Sequence, residues 1–304
     1  MPESRPTNLD PSELGTKEYW EQYYERDLNG GSEDGDVDEN ESDSHVGTDV
    51  VEDAPNPSDL ESWFDDVGAP AKTLAFLTSS TFTLSPNITA TTESEPARPK
   101  HAPAVLDLGT GNGSALFSLH LQGGYHGPMV GVDYSRKSIE LADRLRHKYA
   151  AYYASSTRTA LKNISFYVFD IIEDNPRAQA WWPYDTPNPG FDLVLDKGTF
   201  DAISLSSATS TDETGRERRI CELYPSRVLD LVRLGGFLLL TSCNWTEAEV
   251  ISWFTGASAN AAQDGAAQNF RFEVFDTIKY PVFEFGGQKG QGVASVCFRK
   301  VGGE

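Results

Sequence analysis

Four carboxylates and one run of glycines carry most of the chemistry available to this sequence. Asp107 stands inside Leu106-Asp107-Leu108-Gly109-Thr110-Gly111-Asn112-Gly113; Asp133 closes Val130-Gly131-Val132-Asp133 and is followed by Tyr134. Asp170 closes Tyr167-Val168-Phe169-Asp170 ahead of Ile171, and Asp196 opens the acceptor end of Asp196-Lys197-Gly198-Thr199-Phe200-Asp201-Ala202. Each segment reads as the end of an apolar strand. In the first, Gly109 permits a tight turn, Gly111 lets backbone approach a ligand, and Gly113 starts a helix whose N–H groups can face polar atoms. The pattern is G-x-G-x-G, with Ser114 where a dinucleotide-binding loop places its third glycine. Alone, such a loop is also compatible with a plain glycine-rich turn.

The acids sharpen it. Asp107 beside the loop suits a cationic amino-acid group better than a pyrophosphate. Asp133 can take both hydroxyls of a ribose, or cap the helix after Tyr134-Ser135. Asp170 can accept from an adenine amino group, with its backbone and that of Ile171 along the ring edge; its plain alternative is a strand-end turn. Three acids at three successive strand ends after the glycine loop point to an adenosyl ligand with a cationic tail. S-adenosylmethionine is the cofactor expected, held by Asp107, Gly109, Thr110, Gly111, Gly113, Asp133, Tyr134, Asp170, Ile171 and Asp196.

Ligands of open α/β sheets sit outside the carboxyl ends of the strands, which puts Asp196 near a transferred methyl. Methyl transfer from a sulfonium needs alignment and a neutral nucleophile more than a strong acid or base. For a lysine acceptor, Asp196 would hold the ammonium and help it lose a proton; a structural ion pair is the alternative. Lys197 is expected to pair locally. The segment is not the Asp/Asn-Pro-Pro-Tyr of enzymes that methylate planar nitrogens, which argues against nucleic-acid bases and glutamine. Thr241-Ser242-Cys243-Asn244-Trp245 ends the next strand, and Asn244 and Trp245 are expected to wall the acceptor channel, although Trp245 equally suits packing at a helix start.

Positioning these groups requires alternating strands and helices. Strands are expected at Ala104–Leu108, Met129–Val132, Ile164–Phe169, Phe191–Leu195 and Phe237–Ser242. Helices are expected at Gly113–Leu121, Ser135–Tyr153, Glu217–Val232 (closed by Gly235-Gly236) and Thr246–Phe254, with Ser135 as a cap. Phe270–Thr277 and Gly292–Arg299 read as a closing antiparallel pair. The fold class is α/β: a seven-strand, mostly parallel Rossmann-like methyltransferase sheet with one antiparallel strand and helices on both faces. Before it come a helix over Leu14–Leu28, with Tyr19, Tyr23 and Trp20, Tyr24 at i, i+4 spacing, and a second over Trp63–Phe82 whose start Pro70 complicates. The expected division is residues 1–28, an N-terminal helix; 29–57, an acidic disordered insertion; 58–84, a helical extension; 85–101, a linker; and 102–304, the methyltransferase domain. Further insertions are expected at 175–189, 206–215 and 256–269.

Composition bounds the partners. The 304 residues carry a net charge of −21. Fourteen acids and no Lys or Arg fall between Asn29 and Asp66, so much of the charge is local. An acidic body repels a phosphate backbone, so nucleic acid is not expected as substrate; a basic protein would be attracted. Cys221, Cys243 and Cys297 lie far apart and, like the five histidines, show no metal spacing. No secretory signal and no membrane-spanning run is evident, and a cytoplasmic monomer without metal is expected.

Together these residues resemble one family, the elongation factor 1-alpha lysine methyltransferases of fungi and animals. Leu14-Gly15-Thr16-Lys17-Glu18-Tyr19-Trp20, Tyr24-Glu25-Arg26-Asp27-Leu28 and Trp63-Phe64 match its N-terminal landmarks. Leu106–Gly113, Val132–Ser135, Asp196–Leu205, Thr241–Thr246 and Phe283-Glu284-Phe285-Gly286-Gly287 follow in order. The Asp-Lys-Gly-Thr-Phe-Asp-Ala run also marks related lysine methyltransferases. The resemblance implies mono- or dimethylation of a lysine on elongation factor 1-alpha, and an N-terminal helix folded over the cofactor with Trp20 and Trp63 lining its pocket. The long acidic insertion departs from the family. Two alternatives share the fold: a small-molecule N- or O-methyltransferase, and a non-catalytic adaptor that binds the cofactor.

Overall fold

The structure, a computed structural model, describes residues 8–29, 56–88, 102–153, 161–184, 188–211, 215–256, 270–285 and 288–303. The acidic insertion, the 85–101 linker and the 256–269 insertion lie almost wholly outside them, as does part of the Phe283–Gly287 landmark.

Seven strands form one sheet: β1 (Val105–Leu108), β2 (Met129–Asp133), β3 (Ile164–Val168), β4 (Phe191–Lys197), β7 (Val232–Ser242), β8 (Phe270–Ile278) and β11 (Ala294–Gly302), in the order β3-β2-β1-β4-β7-β11-β8. Between them in sequence lie two short pairs, β5 (Thr209–Thr211) with β6 (Glu217–Arg219) and β9 (Val282–Phe285) with β10 (Gln288–Gln291). β1 pairs in parallel with β2 and β4, β2 with β3, and β4 with β7; β11 runs antiparallel to both β7 and β8. The expected mostly parallel sheet with one antiparallel strand is therefore observed.

Strand alternation builds a core on each face. Leu106, Leu108, Val130, Val132, Leu238 and Leu240 pack on one side; Val105, Met129, Leu193, Leu195, Phe237 and Leu239 pack on the other. Helices α3 (Ser114–Leu121) and α4 (Arg136–Tyr152) connect β1 to β2 and β2 to β3, and Ser135 caps α4 by accepting from Ser138 N. α5 (Thr199–Ser204), α6 (Tyr224–Leu231) and α7 (Glu247–Thr255) follow, the last with a Thr246–Glu249 capping box.

Two expected helices are shorter than the sequence suggests. Glu217–Val232 is α-helical only over Tyr224–Leu231, after a 3-10 turn at Ile220–Glu222, because Glu217–Arg219 pairs with Thr209–Thr211 and Pro225 sits in the first turn of the α-helix. The strand then begins at Val232, and Gly235, at φ +81°, belongs to an irregular stretch of β7 rather than a helix end. Of Trp63–Phe82, only α2 (Ala69–Leu77) is α-helical, after a 3-10 turn at Asp65–Val67: Pro70 sits in the first turn of α2, and Thr78 Oγ1 and Tyr125 Oη spend their hydrogens on the carbonyls of Leu74 and Leu77. Trp63 and Phe64 precede it, Phe64 at φ +68°, the one non-glycine positive φ among the described residues.

The N-terminal helix α1 (Lys17–Leu28) begins at a Thr16 cap and lies on α4. Glu21 supplies both carboxylate oxygens to the first turn of α4, accepting from Arg136 N at 2.9 Å and Lys137 N at 3.2 Å. A carboxylate there satisfies orphan amides and meets the positive end of the helix dipole. Glu21→Ala is expected to cost about 1 kcal/mol in denaturant unfolding; an unchanged midpoint would mean that the contact contributes nothing.

Candidate active site

The strand order reverses between β1 and β4, and the crevice outside their carboxyl ends is where open α/β sheets bind ligands. A cavity of about 300 Å³ opens there. Asp107, Gly109, Thr110 and Gly111 line it from the first loop, Asp133 and Tyr134 from the second, Asp170 and Ile171 from the third, and Lys197, Gly198 and Thr199 from the fourth. Trp20 and Trp63 close it from the N-terminal segment, their ring centroids 5.2 Å apart. The structure thus gathers almost every residue singled out for cofactor binding around one cavity; Gly113 turns into α3 just behind it, and Asp196 stands apart.

The glycine loop has no room for side chains. Gly109 lies at φ +60°, and a Cβ there would fall 2.1 Å from Thr199 Oγ1; Gly111 lies at φ +58°, with Tyr24 Oη 2.7 Å from its would-be Cβ. The loop's amides are mostly engaged within the protein: Thr110 N bonds Val132 O, Gly111 N bonds Asp133, Gly113 N bonds Thr110 O, and Ser114 N bonds Asn112 Oδ1. Of the first turn of α3, Ser114 N is thus engaged by Asn112 Oδ1, while Ser114 and Ala115 both line the cavity.

Asp107 is buried and accepts from Thr110 Oγ1 at 2.7 Å. Burial pushes its carboxyl up to about 6, against the lowering pull of the Thr110 hydroxyl and the Lys197 charge. Asp133 accepts from Gly111 N at 3.2 Å, Ser135 N at 2.9 Å and Ser138 Oγ at 2.9 Å, so it clips the glycine loop to α4 while facing the cavity. Asp170, two residues beyond β3, accepts from Ile172 N at 2.9 Å in a tight turn. Tyr134 donates to Thr16 O at 3.2 Å and ties the start of α1 to the end of β2. Asn112 Nδ2 likewise reaches Glu61 O at 2.8 Å.

Asp196, expected beside the reacting methyl, is buried and absent from the cavity wall. It accepts from Thr199 N at 2.8 Å, from Phe200 N, and from Tyr224 Oη at 2.8 Å, so it holds the β4–α5 turn from beneath. Its pKa is pushed up to about 7, chiefly by burial. Such an acid binds more protons folded than unfolded between the ordinary carboxylate range and about 7. Its contribution to stability is therefore present in acid and falls as pH rises through that window. Asp196→Asn removes that slope. Denaturant unfolding should show the variant gaining on the wild type by on the order of 3 kcal/mol between about pH 4 and about pH 8; a gap independent of pH would contradict the assignment.

Asn244 and Trp245 do not wall a channel. Trp245 is buried, donates Nε1 to Ser204 Oγ at 3.2 Å and stacks on Phe200 with centroids 6.1 Å apart, which makes it a core residue at the start of α7. Asn244 is half-buried beside Cys243, outside the cavity wall. In their place the wall includes Tyr23, Tyr24, Asp27, Glu61, Ile203 and Ile220. Tyr23 and Tyr24 belong to the aromatic stripe of α1, so the sequence carried their signal. Thr209 and Ile220, brought to the wall by the β5–β6 pair, carried no such signal, because that pair is held by Arg219 reaching the carbonyls of Leu9, Ser204 and Ser206.

The charge of the wall tests what can fit. Among the described residues it holds six acids, Asp27, Glu61, Asp107, Asp133, Asp170 and Glu173, and one base, Lys197. S-adenosylmethionine carries two cationic groups and one carboxylate, and the wall fits that pattern; a pyrophosphate would meet mostly acids. Among the described residues no helix is long and apolar enough to cross a membrane.

A family model described as a methyltransferase domain matches residues 99–287. Over 295 residues the chain is 32% identical to the protein-lysine N-methyltransferase EFM4 of Saccharomyces cerevisiae, with 96% of this chain and 97% of that one covered. It is 32% identical over 298 residues to efm4 of Schizosaccharomyces pombe, covering 96% of each. With EEF1A lysine methyltransferase 2 of Mus musculus the identity is 30% over 292 residues, 96% of this chain and 86% of the other.

Proposed function

We propose that this chain, which belongs to the methyltransferase-domain family and within it to the elongation factor 1-alpha lysine methyltransferases, moves a methyl group from S-adenosylmethionine to a lysine of elongation factor 1-alpha. The observation that carries this reading is the end-to-end likeness to EFM4, over 96% of this chain and 97% of that one. A sheet alone would not select a substrate.

Each residue then has a task. Asp107 would hold the ammonium of the cofactor's amino-acid end, Asp133 the ribose, and Asp170 with Ile171 the adenine edge. Trp20, Trp63 and Tyr134 cover the ligand and exclude water, with α1 acting as a lid on the catalytic domain. The cofactor supplies an electrophilic methyl carbon. The protein contributes alignment of an incoming amine with that carbon. Asp27, Glu61 and Glu173 give the cavity an acidic wall that attracts a lysine side chain. Asp196 acts at one remove, by holding the turn that carries Lys197 and Thr199. Mono- or dimethylation, a cytoplasmic location and a monomeric state complete the proposal.

Labelling tests it. Purified chain and radiolabelled S-adenosylmethionine, added to an extract of cells lacking the enzyme, should label one protein band that mass spectrometry identifies as elongation factor 1-alpha. Label confined to small molecules would replace this reading with that of a small-molecule methyltransferase.

A further inference from the structure

Among the described residues Lys197 is the one cation on a cavity wall that holds six acids. It makes no hydrogen bond with any other described residue, and the charges that attract it locally are those of Asp107, Asp65 and Asp196. Its largest attractive partner is Asp107. The register explains why. Asp107 pairs with Leu195 across the parallel β1–β4 ladder, and Lys197 lies two residues further along β4 on the same face. With strands about 4.8 Å apart and a rise of about 3.3 Å per residue, such diagonal neighbours stand roughly 8 Å apart, and their side chains can converge on an α-amino group and an α-carboxylate carried by one carbon. Nearby amides offer a carboxylate little: Thr199 N and Phe200 N are held by Asp196, Gly198 N bonds Thr241 O, and Gly111 N bonds Asp133.

We propose that Lys197 binds the α-carboxylate of S-adenosylmethionine while Asp107 binds its α-ammonium, so that the pair reads the zwitterionic end of the cofactor. The inference rests on the cofactor reading above. Burial draws the Lys197 pKa down and the neighbouring carboxylates draw it back up, the setting in which a bound anion gains most from a fixed cation.

The test is calorimetric titration of the full chain with S-adenosylmethionine and with its decarboxylated analogue. Wild type should bind the analogue roughly 10- to 100-fold more weakly. Lys197→Met should weaken S-adenosylmethionine by a similar factor and bind the two ligands alike, and Lys197→Arg should restore part of the discrimination. Equal weakening of both ligands by Lys197→Met, with the wild-type ratio kept, would assign Lys197 a structural role and overturn the inference. If Lys197→Met does not fold, the wild-type comparison still decides: no preference for the carboxylate overturns the inference while leaving the cofactor reading intact. Wild type that binds neither ligand overturns both.

Discussion

Asp133→Ala is expected to lower affinity for S-adenosylmethionine at least about 100-fold in calorimetry while leaving a cooperative thermal transition. Two losses combine. The carboxylate is buried and takes hydrogen bonds from Gly111 N, Ser135 N and Ser138 Oγ. Alanine leaves Gly111 N and Ser135 N without an acceptor, at about 1–3 kcal/mol for each buried group left unsatisfied, while Ser138 Oγ keeps Gly111 O at 2.8 Å. It also leaves Ser138 Oγ to Gly111 O as the remaining hydrogen bond from α4 to the glycine loop, so the loop is held less firmly, and it removes the acceptor proposed for the ribose. Binding within a few-fold of wild type would show that the ligand sits elsewhere.

Gly109→Ala should be as damaging by a different route. At φ +60° a side chain is strained, by about 1–2 kcal/mol, and its Cβ would overlap Thr199 Oγ1, the donor to Leu108 O at 2.7 Å. Thr199 must move, and with it the turn that carries Lys197. We expect a loss of about 3–5 kcal/mol in denaturant unfolding and no measurable cofactor binding. Because the clash centres on one oxygen, Gly109→Ala combined with Thr199→Ala should be less destabilised than the sum of the two single variants. Strict additivity would contradict the packing described.

These two sites also mark what the sequence made legible. The glycine loop and Asp133 sit at ends of short, wholly buried strands, where the chain has few alternative structures and an acid is conspicuous. α4 announced itself through Ser135 and its amphipathic run. The β4–α5 turn was legible as a motif but not as geometry. Asp196 and Lys197 are adjacent, and strand alternation sends one into the core and the other into the cavity; the exact end of β4 decides which. Reading the strand as ending at Leu195 put Asp196 at the ligand, whereas pairing with β7 continues to Lys197. Trp245 was ambiguous for a related reason, since an aromatic at a helix start packs inward once Ser204 accepts its indole N–H. The β5–β6 hairpin was hidden because its strands are polar and short, and its anchor, Arg219, finds its partners in the N-terminal segment and the end of α5. Phe64 in the left-handed region is beyond any local rule; it follows from the Trp63-Phe64 turn lying over Gly198.

The most direct test of the whole account is the intact mass of purified elongation factor 1-alpha after incubation with this protein and S-adenosylmethionine. The account predicts a gain of one or two methyl groups, mapped to a lysine and lost with Asp133→Ala. An unchanged mass, from enzyme shown by calorimetry to bind the cofactor, would contradict it.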